Sequence, residues 1–224
     1  MSLHLLELFT SQVAKVGMTD GIRQVLQEES DALRAYYEQA GILIARPAGG
    51  TSCRLAISAK GGTNAENHNH NDVGSYAVAL GSETMVGDQG GPNSYPGDYF
   101  NGDAPQKYKI KGSFGHPVPV VDGRTQSSGG KAKGVVLQKE FTNEKDVFSI
   151  DYTSAYSTPN LDKLIRTFVY DRQGKGNFTV GDEFTAKTPI RFETAITTRA
   201  DWKVLDDTHL LLATDSEQMI VAID

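Results

Sequence analysis

The sequence predicts an all-β protein, a large two-sheet antiparallel β-sandwich entered through a short N-terminal helical lead-in, and three observations predict it. From Leu33 onward the apolar residues come in short runs of about 5 to 9 positions separated by Gly, Asn, Asp and Pro, the pattern of strands joined by turns. Helical periodicity does not interleave those runs, which argues against the parallel sheet of an α/β protein. With 224 residues and 38% hydrophobic content, the chain can fill the space between two sheets.

Taken in order, Leu5, Phe9 and Val13, then Ile22, Val25 and Leu26, recur at helical spacing broken near Gly17 and Gly21, which predicts two short helices within residues 1–32. That stretch reads as a lead-in or linker, and residues 33–224 as the sandwich domain. Strands are expected over residues 33–37, 42–46, 54–59, 74–80 and 83–87, with turns at 38–41 and 81–82. A loop rich in Gly, Pro and Tyr follows over 90–102. Further strands are expected over 108–111, 117–121, 134–141, 147–155, 164–170 and 177–186, then over 190–197, 202–205 and 209–214. Residues 124–133, Arg-Thr-Gln-Ser-Ser-Gly-Gly-Lys-Ala-Lys, read as a flexible solvated loop by composition.

The net charge is −6, and the 22 Lys and Arg residues are scattered without a basic cluster, so nothing in the pattern recommends a nucleic-acid partner. Cys53 is the single cysteine, which excludes an intrachain disulfide and predicts a buried, inert thiol. No run approaches the roughly 18 apolar residues of a membrane span, and the first residues lack the basic start and apolar core of a signal peptide. The opening Met-Ser-Leu and an ending inside an apolar run, residues 219–223, lead us to expect an excised fragment.

The chemistry concentrates in residues 67–72, Asn-His-Asn-His-Asn-Asp, between the Gly61-Gly62 turn and an apolar strand. Such runs are common in plain surface turns. In an extended backbone, however, His68, His70 and Asp72 would share one face. Imidazole and carboxylate are ligands for zinc or a similar divalent ion, and such a site needs three or four groups converging from different strands. His70 offers one. Asp88, ending the strand 83–87, and His116, opening the strand 117–121, offer two more beside Gly87 and Gly115. The expected metal ligands are therefore His70, Asp88 and His116, while His4 and His209 read as ordinary structural histidines.

Three stretches in this order, Asn67 to Tyr76, Gly87-Asp88-Gln89-Gly90-Gly91, and Gly115 to Gly123 with its His116-Pro117-Val118, resemble the C-terminal β-sandwich domain of the heparinase II/III-like family of heparin, heparan sulfate and alginate lyases. The resemblance runs from about Tyr36 to the C-terminus. It implies zinc, in a structural role, at His70, Asp88 and His116. It also implies a cleft-facing catalytic or uronate-binding role for His68, with Asn67, Tyr95 and Tyr99 contacting substrate. The reaction implied is β-elimination in a uronic-acid-containing polysaccharide, by a periplasmic or secreted enzyme. One departure is His116-Pro117-Val118 where many members carry His-Asn-Thr, so the substrate subfamily does not transfer. A second is the N-terminal α/α-toroid domain, which in the family supplies a proton-shuttling tyrosine and is missing from this chain, so the fragment alone is expected to be inactive.

Two other readings remain. A cupin-like metalloenzyme also begins its site with His-x-His, but places a glutamate four or five residues later, where this chain has Gly74 and Ser75. A non-catalytic carbohydrate-binding sandwich would keep the metal for structure and use Tyr95 and Tyr99 as a sugar platform.

Overall fold

The computed structural model describes residues 32–224 apart from Gln89 and Asn93. The two expected lead-in helices lie outside the described residues. Residues Arg34–Asp224 form one compact unit. No helix among the described residues is long and apolar enough to cross a membrane.

Two five-stranded antiparallel sheets make the sandwich. The first contains β1 (Arg34–Tyr37), β2 (Ile42–Ala45), β3 (Leu55–Lys60), β5 (Tyr76–Leu80) and β6 (Glu83–Val86) in the order β1-β2-β3-β5-β6. The second contains β4 (Gly62–Asn64), β8 (Gly129–Phe141), β9 (Lys145–Asp151), β10 (Leu161–Asp171) and β11 (Asn177–Ala186) in the order β11-β10-β9-β8-β4. Alternation explains the pairing: Leu43 and Ala45 on β2 and Leu55, Ile57 and Ala59 on β3 are buried, while their neighbours along each strand are half-buried. From the second sheet Phe148, Ile150, Leu164, Phe168 and Tyr170 join the same core. Each such side chain contributes about 1.5–3 kcal/mol by leaving water.

β7 (Val120–Val121) pairs with β12 (Phe192–Glu193), and β13 (Asp201–Asp206), β14 (His209–Ala213) and β15 (Gln218–Ala222) form a three-stranded sheet. That sheet adds Leu212, with Met219 and Val221 packed beside it, to the core. Cys53 is buried, as expected.

Several expectations are corrected. Residues 108–111 are turns: the Tyr108 amide donates to the Ala104 carbonyl at 2.8 Å, continuing the one-turn helix α1 (Ala104–Lys107), and the Lys111 amide donates to Tyr108 at 2.9 Å. In the stretch 190–197 only Phe192–Glu193 is strand. The expected loop 124–133 is half strand, because β8 begins at Gly129 and pairs with the short edge strand β4; the Gly and Lys residues there are mostly exposed or half-buried and so write no apolar alternation into the sequence.

β4 itself escapes the hydrophobic pattern, being only three residues long. It matters because the chain leaves the first sheet after β3, crosses to the second as β4, and returns to the first as β5. The return is closed by the Gly74 amide donating to Lys60 (2.8 Å) and the Lys60 amide donating to Ser75 (2.9 Å). The polar hexapeptide occupies this excursion.

Candidate metal centre and aromatic shelf

Residues 67–72 are a turn rather than an extended strand. The Asn69 amide donates to the Glu66 carbonyl at 3.2 Å, and His68 lies in the left-handed region at φ 57°. A non-glycine residue there carries strain of about 1–2 kcal/mol. The strand alternation expected of His68, His70 and Asp72 is thereby broken: Asp72 pairs with Lys60, His68 is exposed, and His70 is half-buried. The physical reason is local, since Asn and Asp side chains compete for backbone partners and favour turns.

The three expected ligands nevertheless meet. One donor atom from each of His70, Asp88 and His116 lies within 4.8 Å of the others. His70 Nδ1 and His116 Nε2 are 3.0 Å apart, and His116 Nδ1 is 4.0 Å from an Asp88 carboxylate oxygen. Donors around a tetrahedral zinc with bonds of about 2.0–2.2 Å stand roughly 3.3–3.6 Å apart; the His70–His116 pair is close to that spacing, while the 4.0 Å approach of Asp88 is to the other nitrogen of the His116 ring. The donor set fits a divalent ion. Burial, and then the neighbouring His116, hold His70 down at about 4, and burial lowers His116 as well, so near neutral pH both rings are uncharged and offer lone pairs.

Each candidate ligand is placed by a different device. Gly87, before Asp88, is tied to Thr197 by its own amide (3.0 Å) and by the threonine hydroxyl donating to the Gly87 carbonyl (2.7 Å). His116 follows a 3-10 turn, Ser113–Gly115, and is 1% exposed. A Cβ on Gly115 would sit 2.6 Å from the Ile110 carbonyl oxygen, so only glycine lets those backbones approach. The Ile110 backbone, brought close by that approach, partly opposes the lowering of the His116 pKa by burial.

The segment after His70 is held by Gln126. Its side chain accepts from the Val73 amide (3.0 Å) and donates to the Val73 carbonyl (2.6 Å), as a neighbouring strand would. Its backbone amide donates to Ser113 Oγ (3.0 Å), and its carbonyl accepts from the Asn71 side chain (3.0 Å).

Beside the His70, Asp88 and His116 cluster lies an aromatic shelf. The His68 ring is 4.4 Å from Phe100, Phe100 is 5.2 Å from Tyr95, and these two rings are 49% and 57% exposed. Asn67 is exposed on the same turn. Tyr99 is different: it is 2% exposed, packed behind Tyr95, Phe100 and Tyr108, with no partner for its hydroxyl among the described residues. Its position in the sequence, four after Tyr95, gives no hint that one ring faces out and the other in. Beneath the shelf, the buried Lys111 donates to the Tyr99 carbonyl at 2.7 Å and lies 5.2 Å from the Phe100 ring; burial lowers its pKa.

Phe100, Lys111, Gln126 and Arg166 were not singled out by sequence. For Arg166 a signal existed, because it occupies an inward slot between Leu164 and Phe168 on β10, where alternation calls for an apolar residue.

The half-buried His70 and the buried His116 make stability depend on pH. Their pKa values lie below the usual 6.5, so the unfolded chain binds more protons than the folded one as pH falls below about 6.5. Stability is complete above that value and is lost toward pH 4. In chelator-treated protein the melting temperature should therefore fall steadily between pH 7 and pH 5; a flat profile would contradict neutral, buried rings.

A two-sheet β-sandwich with a His-Asp-His cluster where the chain crosses between sheets is the class of domain defined here. Among solved structures this fold is found in the heparan sulfate lyase HepC from Pedobacter heparinus, with a TM-score of 0.68 and 16% identity over 97% of this chain and 33% of that one. A mutant of the same lyase gives a TM-score of 0.62 and 15% identity over 94% and 34%. The chain thus spans about a third of the length of those lyases. No protein-family model and no curated protein sequence matches it.

Proposed function

We propose that this chain is the β-sandwich part of a polysaccharide lyase that cleaves a uronic-acid-containing polymer by β-elimination. The observation that carries the reading is the convergence of His70, Asp88 and His116 within 4.8 Å, two residues from an exposed histidine held in a strained turn. Strain of this kind collects at functional sites because the surrounding structure must maintain it. The fold shared with HepC supports the same reading.

In β-elimination the C5 proton is removed, its electron pair forms the C4–C5 double bond, and the O4 leaving group departs with a proton. The enzyme must neutralise the uronate carboxylate, place a base at C5 and supply an acid to O4. His68 is the residue of this chain suited to that work, its exposed imidazole accepting the C5 proton or donating a hydrogen bond to the carboxylate. Asn67 adds an exposed amide beside it. Tyr95 and Phe100 offer exposed ring faces to the sugar, whereas a role for Tyr99 requires the shelf to open. A divalent ion such as zinc at His70, Asp88 and His116 supplies rigidity when bound, holding the turn so that His68 keeps its aim. The remaining acid or base would come from another domain, of the α/α-toroid type. By the same resemblance, the enzyme is periplasmic or secreted.

The test is to assay the complete gene product on heparan sulfate, alginate and related polymers for unsaturated uronate, beside His68→Ala. Turnover should fall about 10²–10⁴-fold in the variant while bound metal is retained. Loss of metal from His68→Ala would mean that the two histidines exchange roles. The exposed pair Tyr95 and Phe100 favours a second reading, a non-catalytic carbohydrate-binding sandwich, which sugar binding without unsaturated product would support.

A further inference from the structure

A single side chain on the opposite sheet holds both histidine-bearing segments. Arg166 projects inward from β10 and is 1% exposed. Its Nη1 donates to the Gly74 carbonyl at 2.7 Å and to the Pro117 carbonyl at 2.8 Å. Gly74 closes the turn that carries His70, and Pro117 directly follows His116. The other edge of the guanidinium is fixed by Asp182 on β11, through Nε at 2.8 Å and Nη2 at 2.6 Å, and the Tyr152 hydroxyl donates to the same carboxylate at 2.7 Å. At φ 84°, with the Tyr152 ring 3.2 Å from where its Cβ would lie, Gly74 is shaped to bring its carbonyl into this arrangement.

Core filling does not require a charge here. A buried ion pair is commonly replaced by apolar residues of similar volume without loss of stability, so its presence asks for a positional explanation. A guanidinium is planar and always charged, and its donors point in fixed directions, properties a lysine does not share.

We propose that Arg166 is a positioning residue for the metal centre: one planar cation, anchored by Asp182, sets the separation of the His70 and His116 segments before any ion binds. The inference rests on the reading of His70, Asp88 and His116 as ligands. The cation recognised is a divalent ion of zinc type, and Arg166 acts on it only through the backbone that carries the ligands.

The test is a zinc titration of the 224-residue chain against a chromogenic competitor, with the cobalt(II) absorption spectrum as a report on ligand geometry. The parent is compared with Arg166→Lys, Asp182→Asn and the core variant Phe148→Leu, at a temperature where circular dichroism shows all of them folded. Arg166→Lys should bind zinc about 10–100-fold more weakly and shift the cobalt bands. Phe148→Leu should melt earlier yet keep parental affinity and spectrum, which separates positioning from general destabilisation. If Arg166→Lys does not fold, Asp182→Asn, which keeps the guanidinium but loosens its anchor, should show a smaller loss in the same direction. Parental affinity and spectrum in the folded Arg166 and Asp182 variants, or an equal loss in Phe148→Leu, would overturn the role of Arg166 while leaving the ligands in place. A parent chain that binds no zinc would overturn the ligand assignment itself, and this inference with it.

Discussion

His70→Ala should lower the unfolding free energy of the zinc-loaded protein by about 4 kcal/mol, and His68→Ala by no more than about 1.5 kcal/mol. The first figure is the stabilisation an ion present at about 1,000 times its dissociation constant confers on a native state that alone binds it. His70 contributes a donor to the only cluster of three such groups among the described residues, so its removal dismantles the site. His68 contributes an exposed ring against Phe100, 4.4 Å between centroids, and a surface contact of that kind is worth about 0.5–1.5 kcal/mol. Urea unfolding with and without chelator checks both. Chelator should pull the parent and His68→Ala down to the level of His70→Ala while leaving His70→Ala unmoved. Equal melting temperatures for the two variants in zinc would contradict a structural ion.

Arg166→Met should cost about 3–5 kcal/mol, the penalty for leaving a buried charge without its partner. Asp182 would remain with only the Tyr152 hydroxyl, and the Gly74 and Pro117 carbonyls would lose their donor. Asp182→Leu strands the guanidinium in turn. The double variant should be more stable than the sum of the singles predicts, with a coupling of about 1–3 kcal/mol. It should not return to parental stability, since the two carbonyls stay unsatisfied at about 1–3 kcal/mol each. A domain's whole stability is about 5–15 kcal/mol, so the single variants approach the limit of folding. Additive losses in the cycle would mean that the two groups act independently.

The strands and the candidate ligands were legible for different reasons. Leu55, Ile57 and Ala59 announce β3 because period-two burial must be written into any strand with one face in a core. His70, Asp88 and His116 stood out because coordination needs particular side chains, and these sat beside glycines at the ends of apolar runs. Residues 67–72 misled because alternation tests only whether a strand would work; the left-handed backbone of His68 is a choice the sequence permits without requiring. Tyr99 misled because ring exposure depends on which neighbours fold over it.

By itself, the sequence determined an all-β chain, the identity of three metal-type donors and a histidine two residues from one of them, since composition and spacing are local properties. Only the tertiary structure decided that β4 crosses to the second sheet, that the donors lie within 4.8 Å, and that Arg166 reaches the Gly74 and Pro117 carbonyls from β10. Those facts join residues dozens of positions apart, and it is the packing of two sheets, not any local preference, that sets such distances.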